Sequence, residues 1–107
     1  MSTMRNSVMM VGRPTRPTMD TERGQATFKI VVEDSVNKTC ITNTFDCVAT
    51  GEMAKQIVKN VKEGKRVAID GCLRNHDYTD RLADTHTHTE ILVLDIFLID
   101  KTKEDRP

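Results

Sequence analysis

Hydrophobic and polar residues alternate along much of the chain, which is the pattern of half-buried β-strands. The alternation is clearest in one segment, where Phe28, Ile30 and Val32 fall on one face and Lys29 and Glu33 on the other. Elsewhere the same signal is carried by alternation or by short apolar runs. The pattern predicts five strands, at 6–12, 26–34, 42–51, 65–75 and 89–100.

One segment follows a helical period instead. Across 52–64, Met53, Ile57 and Val61 recur every four residues, and lysines occupy the opposite face. This spacing predicts one amphipathic helix of about three turns. Gly64 stands where a left-handed C-cap is expected, so the helix is predicted to end there.

The order of the elements is three strands, a helix and two strands, joined by polar connections at 13–25, 34–42 and 75–88. Five strands with one helix between strands 3 and 4 are typical of the OB-fold, an all-β Greek-key barrel. A chain of 107 residues has room for one domain. We therefore expect a single OB-fold domain over 1–107, with its core at about 5–100 and a short polar end at 101–107.

Composition and charge exclude several classes of protein. Hydrophobic residues make up 37% and charged residues 30%, as in soluble globular chains. No apolar run approaches the roughly 20 residues of a membrane span, and the first residues do not resemble a signal peptide, so we expect a cytoplasmic protein without a membrane partner. Sixteen basic residues balance sixteen acidic ones, so a nucleic-acid site would require local clustering of positive charge.

Motifs for catalysis or for cofactor binding are absent from the sequence. There is no phosphate-binding loop, and no spacing brings a nucleophile into register with a histidine and a carboxylate. The cysteines, Cys40, Cys47 and Cys72, lack the spacing of a disulfide framework or a zinc site, which favours reduced thiols packed as small hydrophobic residues. We therefore expect a protein that is not an enzyme and holds no cofactor.

Three histidines, His76, His86 and His88, lie in or beside the connection 75–88. His86 and His88 are two residues apart and would share one face of a strand, as metal ligands can. No carboxylate or cysteine completes a recognised metal-binding spacing, so polar loop histidines are expected and no metal site is predicted. The alternative is a metal-dependent enzyme built on these histidines. A metal assay that finds no bound zinc, nickel or iron would exclude it. Protonation of imidazoles, near a pKa of about 6.5, would add positive charge at mildly acid pH.

Several segments together resemble one family in order and spacing. They are Asn6-Ser-Val-Met-Met-Val-Gly12-Arg13, Phe28-Lys-Ile-Val-Val, Asp46-Cys-Val-Ala-Thr-Gly51, Gly64-Lys-Arg-Val-Ala-Ile-Asp-Gly71-Cys-Leu-Arg74, Tyr78-Thr-Asp80 and Thr89-Glu90-Ile-Leu-Val. Over roughly residues 5–100 the chain is similar to bacterial single-stranded DNA-binding proteins. The resemblance implies an OB-fold and sequence-independent binding of single-stranded DNA in replication, recombination or repair, in the cytoplasm at the nucleoid.

The same resemblance implies where DNA would bind. Proteins of this kind combine base stacking on aromatic rings with basic side chains along the phosphates. The family's stacking positions fall at Val36, Thr44, Thr50 and Tyr78, of which Tyr78 alone is aromatic. The family's basic positions are occupied in part by Asp46, Glu52 and Asp77. The candidate DNA-binding residues are Arg5, Arg13, Lys29, Val36, Lys38, Arg74, Tyr78 and Arg81.

The resemblance also implies a homodimer or homotetramer that pairs through the first strand. The run Ser7-Val-Met-Met-Val11 is apolar on both faces, which suits a strand covered on both sides. Val8, Met9 and Met10 are the candidate interface residues. Replication proteins are further expected partners, but not through the acidic tail of typical members, which this sequence lacks.

A second function of another class stays open: a replication-accessory or scaffold module, similar to those of primosomes, that uses an OB-fold mainly for protein contacts. The two functions differ in whether the folded groove is net basic, which overall charge does not reveal.

Overall fold

A computed structural model describes residues 4–100 of the chain. Its elements, in order, are β1 (Val8–Pro14), β2 (Thr18–Asp20), β3 (Gln25–Val36), β4 (Thr39–Thr50), α1 (Gly51–Asn60), β5 (Val67–Thr79) and β6 (Thr85–Leu98). Within these described residues, no helix has the length and apolar character needed to cross a membrane. The predicted polar end at 101–107 lies outside the described residues.

The strands close into a barrel. Their order is β1-β5-β6-β4-β3-β2, and β1 pairs a second time with β3. Every neighbouring pair is antiparallel except β4 and β6, which run parallel and meet at Cys47–Ile91 and Val48–Leu92. The predicted OB-fold is confirmed, because the helix lies between β4 and β5, the third and fourth strands of the barrel. The short strand β2, inside the predicted connection 13–25, was not predicted.

The core lies inside the barrel, where alternate residues of each long strand point inward. Ile30, Ile69 and Ile91 are fully buried there, and α1 adds Ala54 and Ile57 from one end. These are the positions where the sequence alternates most regularly, because each strand buries one face only. The core therefore fixes the parts of the strands that form the barrel.

Two glycines permit close approaches between strands. A Cβ at Gly12 would lie 2.6 Å from the carbonyl oxygen of Val31, at the point where β1 meets β3 to close the barrel. A Cβ at Gly71 would lie 2.1 Å from the carbonyl oxygen of Leu92, at the irregularity in the β5–β6 pairing. A side chain at either position would force the backbones apart.

Two of the predicted connections are wrong, because strands continue through them. The connection at 34–42 is reduced to a two-residue turn at Asn37 and Lys38, both with positive φ, as in type I′ hairpins. The connection at 75–88 is mostly paired strand, with a loop only between Thr79 and Thr85. Here the hairpins extend beyond the barrel, where both faces are mostly exposed, so the sequence loses its hydrophobic alternation.

The predicted end of the helix is also wrong. The helix ends at Asn60, and Val61 is extended and buried at 4% exposure. Packing of Val61 into the core turns the chain away before Gly64. Gly64 has a φ of +78° in the following turn, where its N–H donates to the carbonyl of Pro14. The positive φ expected of this glycine is therefore present, but it serves a turn instead of a helix C-cap.

Candidate nucleic-acid interface

A groove crosses the outer face of the barrel over β3, β4, β6 and β5. It consists of three adjoining clefts of about 310, 470 and 380 Å³ that share Glu90 as a lining residue. Residues paired across antiparallel strands lie on the same face, so the register gives the order of side chains along it. Lys29 pairs with Asp46, and Arg74 pairs with Glu90. We call this surface the Glu90 groove.

Glu90 lies at the centre of the groove and is 9% exposed, the one charged side chain among residues 4–100 that is classed as buried. Arg74 donates to its Oε1 from Nε at 3.2 Å and from Nη2 at 2.7 Å. His76 Nδ1 lies 3.3 Å from the same oxygen. These partners compensate the burial of the carboxylate, and they hold the Arg74 guanidinium at the groove surface with 37% of its side chain exposed.

Asp46 forms a second charged centre in the same groove. Lys29 Nζ lies 3.8 Å from Oδ1, and His88 Nε2 lies 3.0 Å from Oδ2. Lys29 remains 62% exposed, so its ammonium group is accessible to a phosphate although a carboxylate lies beside it. Each of the two candidate cations in the groove is therefore paired with a carboxylate and partly open to solvent.

A row of rings continues from the groove along the outer face of the β5–β6 hairpin. Tyr78 stacks on His86 with ring centroids 5.2 Å apart and planes at 28°. His76 makes an edge contact with His88 at 5.3 Å and a tilted contact with Tyr78 at 6.5 Å. The register explains the row, because Tyr78 pairs with His86 and His76 with His88. We call these four residues the ring ladder.

The structure brings together three of the candidate DNA-binding residues. Lys29 and Arg74 line the Glu90 groove, and Tyr78 lies four residues beyond Arg74 on the same face of β5. Tyr78 was expected in a loop; that expectation is wrong, since it is a strand residue whose ring is fixed by stacking. Half of the side chain remains exposed, at 50%.

The other candidates lie apart from this cluster. Val36 and Lys38 are at the tip of the β3–β4 hairpin, and Arg81 is in the loop of the β5–β6 hairpin. Arg13 lies on β1, where Nη1 donates to the carbonyl of Gly64 at 3.0 Å and lies 3.7 Å from Asp100. Arg5 is exposed in the segment before β1.

Asp77, one of the acidic residues at a basic position of the family, lies on the opposite face of β5 from Tyr78, since neighbouring residues of a strand alternate. Its Oδ1 accepts a hydrogen bond of 2.7 Å from Thr87. Glu52 lies in the first turn of α1 and pairs with Lys55. Asp46 is therefore the acidic replacement that lies in the groove.

The candidate interface residues divide between the two faces of β1. Val8 and Met10 pack against the core, whereas Met9 is 79% exposed on the outer face. Val11, two residues further along that face, is 50% exposed. Both faces of β1 are apolar, as the sequence indicated. The inner face packs against the barrel core, and the outer face is exposed to solvent.

The histidines were considered in the sequence but interpreted as loop residues, so their place on two paired strands was missed. A signal was present in the alternation of Arg74, His76 and Tyr78 and in that of His86, His88 and Glu90, which places each trio on one face of a strand. That signal was obscured because the intervening residues are polar as well. Among residues 4–100 no group of three metal-ligating side chains is positioned to hold a metal ion.

The buried cysteine next to the groove is chemically protected. Cys47 is 2% exposed, and burial, assisted by the charge of Asp46, raises the pKa of its thiol to about 12. At neutral pH the thiol is protonated and packs as a small hydrophobic side chain. The expected burial holds for Cys47, while Cys72 is partly exposed and Cys40 exposed.

Comparison with known families and structures supports the fold. The sequence model of the Single-strand binding protein family matches residues 5–99. No curated protein sequence matches the chain.

Solved structures with the same fold include the following three. A small single-stranded DNA-binding protein from Mycoplasma pneumoniae is 22% identical, with a TM-score of 0.72 over 92% of this chain and 98% of that one. A small single-stranded DNA-binding protein from Streptomyces coelicolor is 18% identical, with a TM-score of 0.67 over 90% and 96%. The Plasmodium falciparum SSB in complex with ssDNA is 20% identical, with a TM-score of 0.77 over 92% and 98%.

Proposed function

The chain belongs to the single-strand binding protein family, and we propose that it binds single-stranded DNA along the Glu90 groove and the ring ladder, without sequence preference and without catalysis. A role in replication, recombination or repair, in the cytoplasm at the nucleoid, is the setting that such binding fits.

The observation that carries this DNA path is the combination of accessible cations and rings on one continuous face. Lys29 and Arg74 present partly exposed positive groups about the groove, and the half-exposed ring of Tyr78 follows on the same strand as Arg74. Phosphates paired with the cations and a base stacked on the ring are the two contacts that single-strand binding proteins combine.

The carboxylates of the groove set the expected strength of the complex. Asp46 and Glu90 lie beside Lys29 and Arg74, the cations that would contact phosphates. These carboxylates therefore offset part of the electrostatic attraction between the cations and the DNA. With one aromatic stacking position retained, we expect weaker binding than in an aromatic-rich relative and a steep loss of affinity with salt.

Two lysines allow a matched test. Lys29 pairs with Asp46 in the groove, and Lys55 pairs with Glu52 on the helix at 3.3 Å; both are well exposed. In fluorescence anisotropy with labelled oligo-dT, Lys29→Gln is expected to weaken binding and to lower the slope of log K against log salt by about 0.7, the value for one phosphate of a single strand. Lys55→Gln should leave both unchanged. Equal effects of the two variants would place the DNA elsewhere.

A scaffold role is the second candidate. It is favoured by the pairing of Lys29 and Arg74 with carboxylates, because this pairing reduces the attraction of the groove for DNA, although Arg16 and Arg23 line the groove as well. If the same titration detects no binding of oligo-dT even at low salt, the proposed DNA path is contradicted and the scaffold role is favoured.

We also propose a homodimer or homotetramer that pairs through β1. Within the described residues, β1 pairs with β5 over Val8–Gly12 and with β3 only at Arg13 and Pro14, so one edge of Val8–Gly12 has no strand beside it there. An apolar strip adjoins this edge, since Val11 pairs with Ala68 and Ala68 with Phe97, which is 58% exposed. A second copy would cover both the edge and the strip.

Light scattering coupled to size-exclusion chromatography tests the assembly. The native chain is expected at a multiple of its 12.1 kDa, and Met9→Arg at a lower multiple, because it places a charge at the centre of the proposed contact. Lys65→Glu, an exposed change in the turn after α1, is the control and should not alter the mass. A native mass of one chain at micromolar concentration would contradict the proposal.

A further inference from the structure

Each histidine of the chain lies next to a carboxylate, on the face of the sheet that carries the Glu90 groove and the ring ladder. His76 Nδ1 is 3.3 Å from Glu90, His88 Nε2 is 3.0 Å from Asp46, and His86 Nε2 is 2.6 Å from Asp80. Two of these carboxylates are the ones that also hold Arg74 and Lys29. The imidazoles are thus connected to the same charges that a phosphate backbone would meet.

The rings are accessible to a ligand. The side chains of His76, His86 and His88 are 48%, 46% and 38% exposed, and Tyr78 is similarly open. A ladder of half-exposed rings spaced by 5.2–6.5 Å along two paired strands offers successive faces and edges to unstacked bases.

The charged groups around each imidazole come from every neighbouring element. His88 faces Asp46 on β4 and, through it, Lys29 on β3. His76 faces Glu90 on β6 and Arg74 on its own strand, and it shares a cleft with Asp20 and Arg23 near β2.

His86 faces Asp80 and the ring of Tyr78. The hydrogen bond from His86, with further backbone N–H bonds from Asp84 and Leu82, lowers the pKa of Asp80. That carboxylate therefore stays ionised when the imidazole beside it takes up a proton.

We propose that single-stranded DNA lies across the ring ladder and that the imidazoles of His76, His86 and His88 take up protons when it binds, so that the ladder is both the stacking surface and a set of charges that form in the complex. This inference rests on the proposed function, which already places the DNA on the ring ladder, and it deepens that function by assigning charges that form in the complex.

The physical reason is electrostatic linkage. A phosphate near an imidazole favours its charged form, because opposite charges within about 4–6 Å stabilise each other. A proton on the imidazole also adds a positive charge beside Asp46 or Glu90, so the repulsion between that carboxylate and the DNA is reduced. The complex then holds more protons than the separate molecules, so affinity must rise as the pH falls through the range where imidazoles titrate.

The test uses oligo-dT, because thymine does not take up protons between pH 5.5 and 8. At constant low salt, the association constant measured by anisotropy is expected to rise as the pH falls, by at most about tenfold per pH unit for each proton taken up, and to level off once the imidazoles of the free protein are protonated as well. Calorimetry in two buffers with different ionisation enthalpies counts the same protons independently. Circular dichroism at each pH checks that the fold is unchanged.

Two sets of substitutions separate stacking from protonation. In His76→Phe/His86→Phe/His88→Phe the rings remain but do not titrate, so the rise in affinity from pH 8 to lower pH should be lost, whatever the affinity at pH 8. In His76→Gln/His86→Gln/His88→Gln the rings are removed as well, so affinity at pH 8 should be lower than in the Phe variant, by about tenfold or more if a stacked base is lost. If either triple variant fails to fold, the single His86 variants give the same comparison at the ring stacked on Tyr78.

The outcomes distinguish this inference from the proposed function. Oligo-dT binding by the native chain that is independent of pH and shows no proton uptake would overturn proton linkage while leaving the DNA path intact. A pH dependence that survives in the Phe variant would mean that the protons bind elsewhere. No binding at any pH, on the other hand, would overturn the proposed function itself.

Discussion

Strands β5 and β6 contribute to the barrel and continue beyond it as a hairpin, and the two parts differ in how their side chains are buried. In the barrel each strand buries one face, with Ile69 on β5 and Ile91 on β6 both at 1% exposure. Beyond Asn75, residues 76–79 of β5 remain paired with residues 85–88 of β6, but both faces of this hairpin are mostly exposed. Backbone hydrogen bonds hold the outer part together, while burial of apolar surface holds the inner part.

This difference separates stability from binding along one pair of strands. The inner half carries the hydrophobic free energy of the domain, so its side chains are constrained by packing. The outer half contributes little burial, and its side chains are available for ligands while the barrel fixes their register. Arg74 and Glu90 lie at the boundary, where a charged pair is close to the core and open to the groove.

The largest expected effect is on folding and comes from the inner half. Ile69→Ala removes a fully buried side chain and leaves a cavity, so the free energy of unfolding should fall by about 2–5 kcal/mol in urea denaturation. Leu82→Ala is the matched change in the outer half, at a side chain 82% exposed in the hairpin loop, and should change it by less than about 0.5 kcal/mol. Similar losses of unfolding free energy in the two variants would contradict the division between a stabilising inner half and a binding outer half.

The difference in burial also explains why the sequence predicts the barrel strands better than the outer part of the β5–β6 hairpin. The barrel strands were predicted because burial of one face imposes alternation, as at Phe28, Ile30 and Val32. The hairpin was assigned to a loop because His76, Asp77 and Thr87 are all polar, and backbone pairing leaves no trace in hydropathy. The end of the helix was misplaced because packing of Val61, a tertiary effect, stops it before Gly64.

The candidate site could be predicted only at charged residues that lie in strands with a clear alternation of hydrophobic and polar positions. Lys29 and Arg74 could be placed on the ligand side from the alternation of their strands. Their pairing with Asp46 and Glu90 depends on the register between strands, which one sequence does not specify. The same holds for the stacking of Tyr78 on His86, which joins residues eight positions apart through a hairpin whose turn was not located.

The next effect concerns binding and belongs to the outer half. Tyr78→Ala is expected to weaken oligo-dT binding by about 1–3 kcal/mol, since it removes the aromatic stacking surface, and to leave the free energy of unfolding unchanged within about 0.5 kcal/mol. Tyr78→Phe keeps the ring and should bind like the native chain. Anisotropy and urea denaturation of the same samples measure both quantities. A loss of stability without a loss of affinity would show that Tyr78 belongs to the fold and not to the site.

The smallest effect distinguishes the face that carries the groove and the ring ladder from the opposite face of the hairpin. Asp46 lies in the groove beside Lys29 and His88, whereas Asp77 bonds Thr87 on the opposite face from Tyr78. Asp46→Asn removes a negative charge from the DNA path and frees Lys29, so affinity at low salt should rise by about 1 kcal/mol, as for one unit charge at short range in water. Asp77→Asn removes an equal charge from the opposite face of the β5–β6 hairpin, and screening and distance should reduce its effect to a small fraction of that. The gain at Asp46 should shrink as salt is raised toward physiological strength, where the Debye length is about 8 Å. Equal gains from both variants would mean that only net charge matters, and that the strand is not confined to the face that carries the groove and the ring ladder.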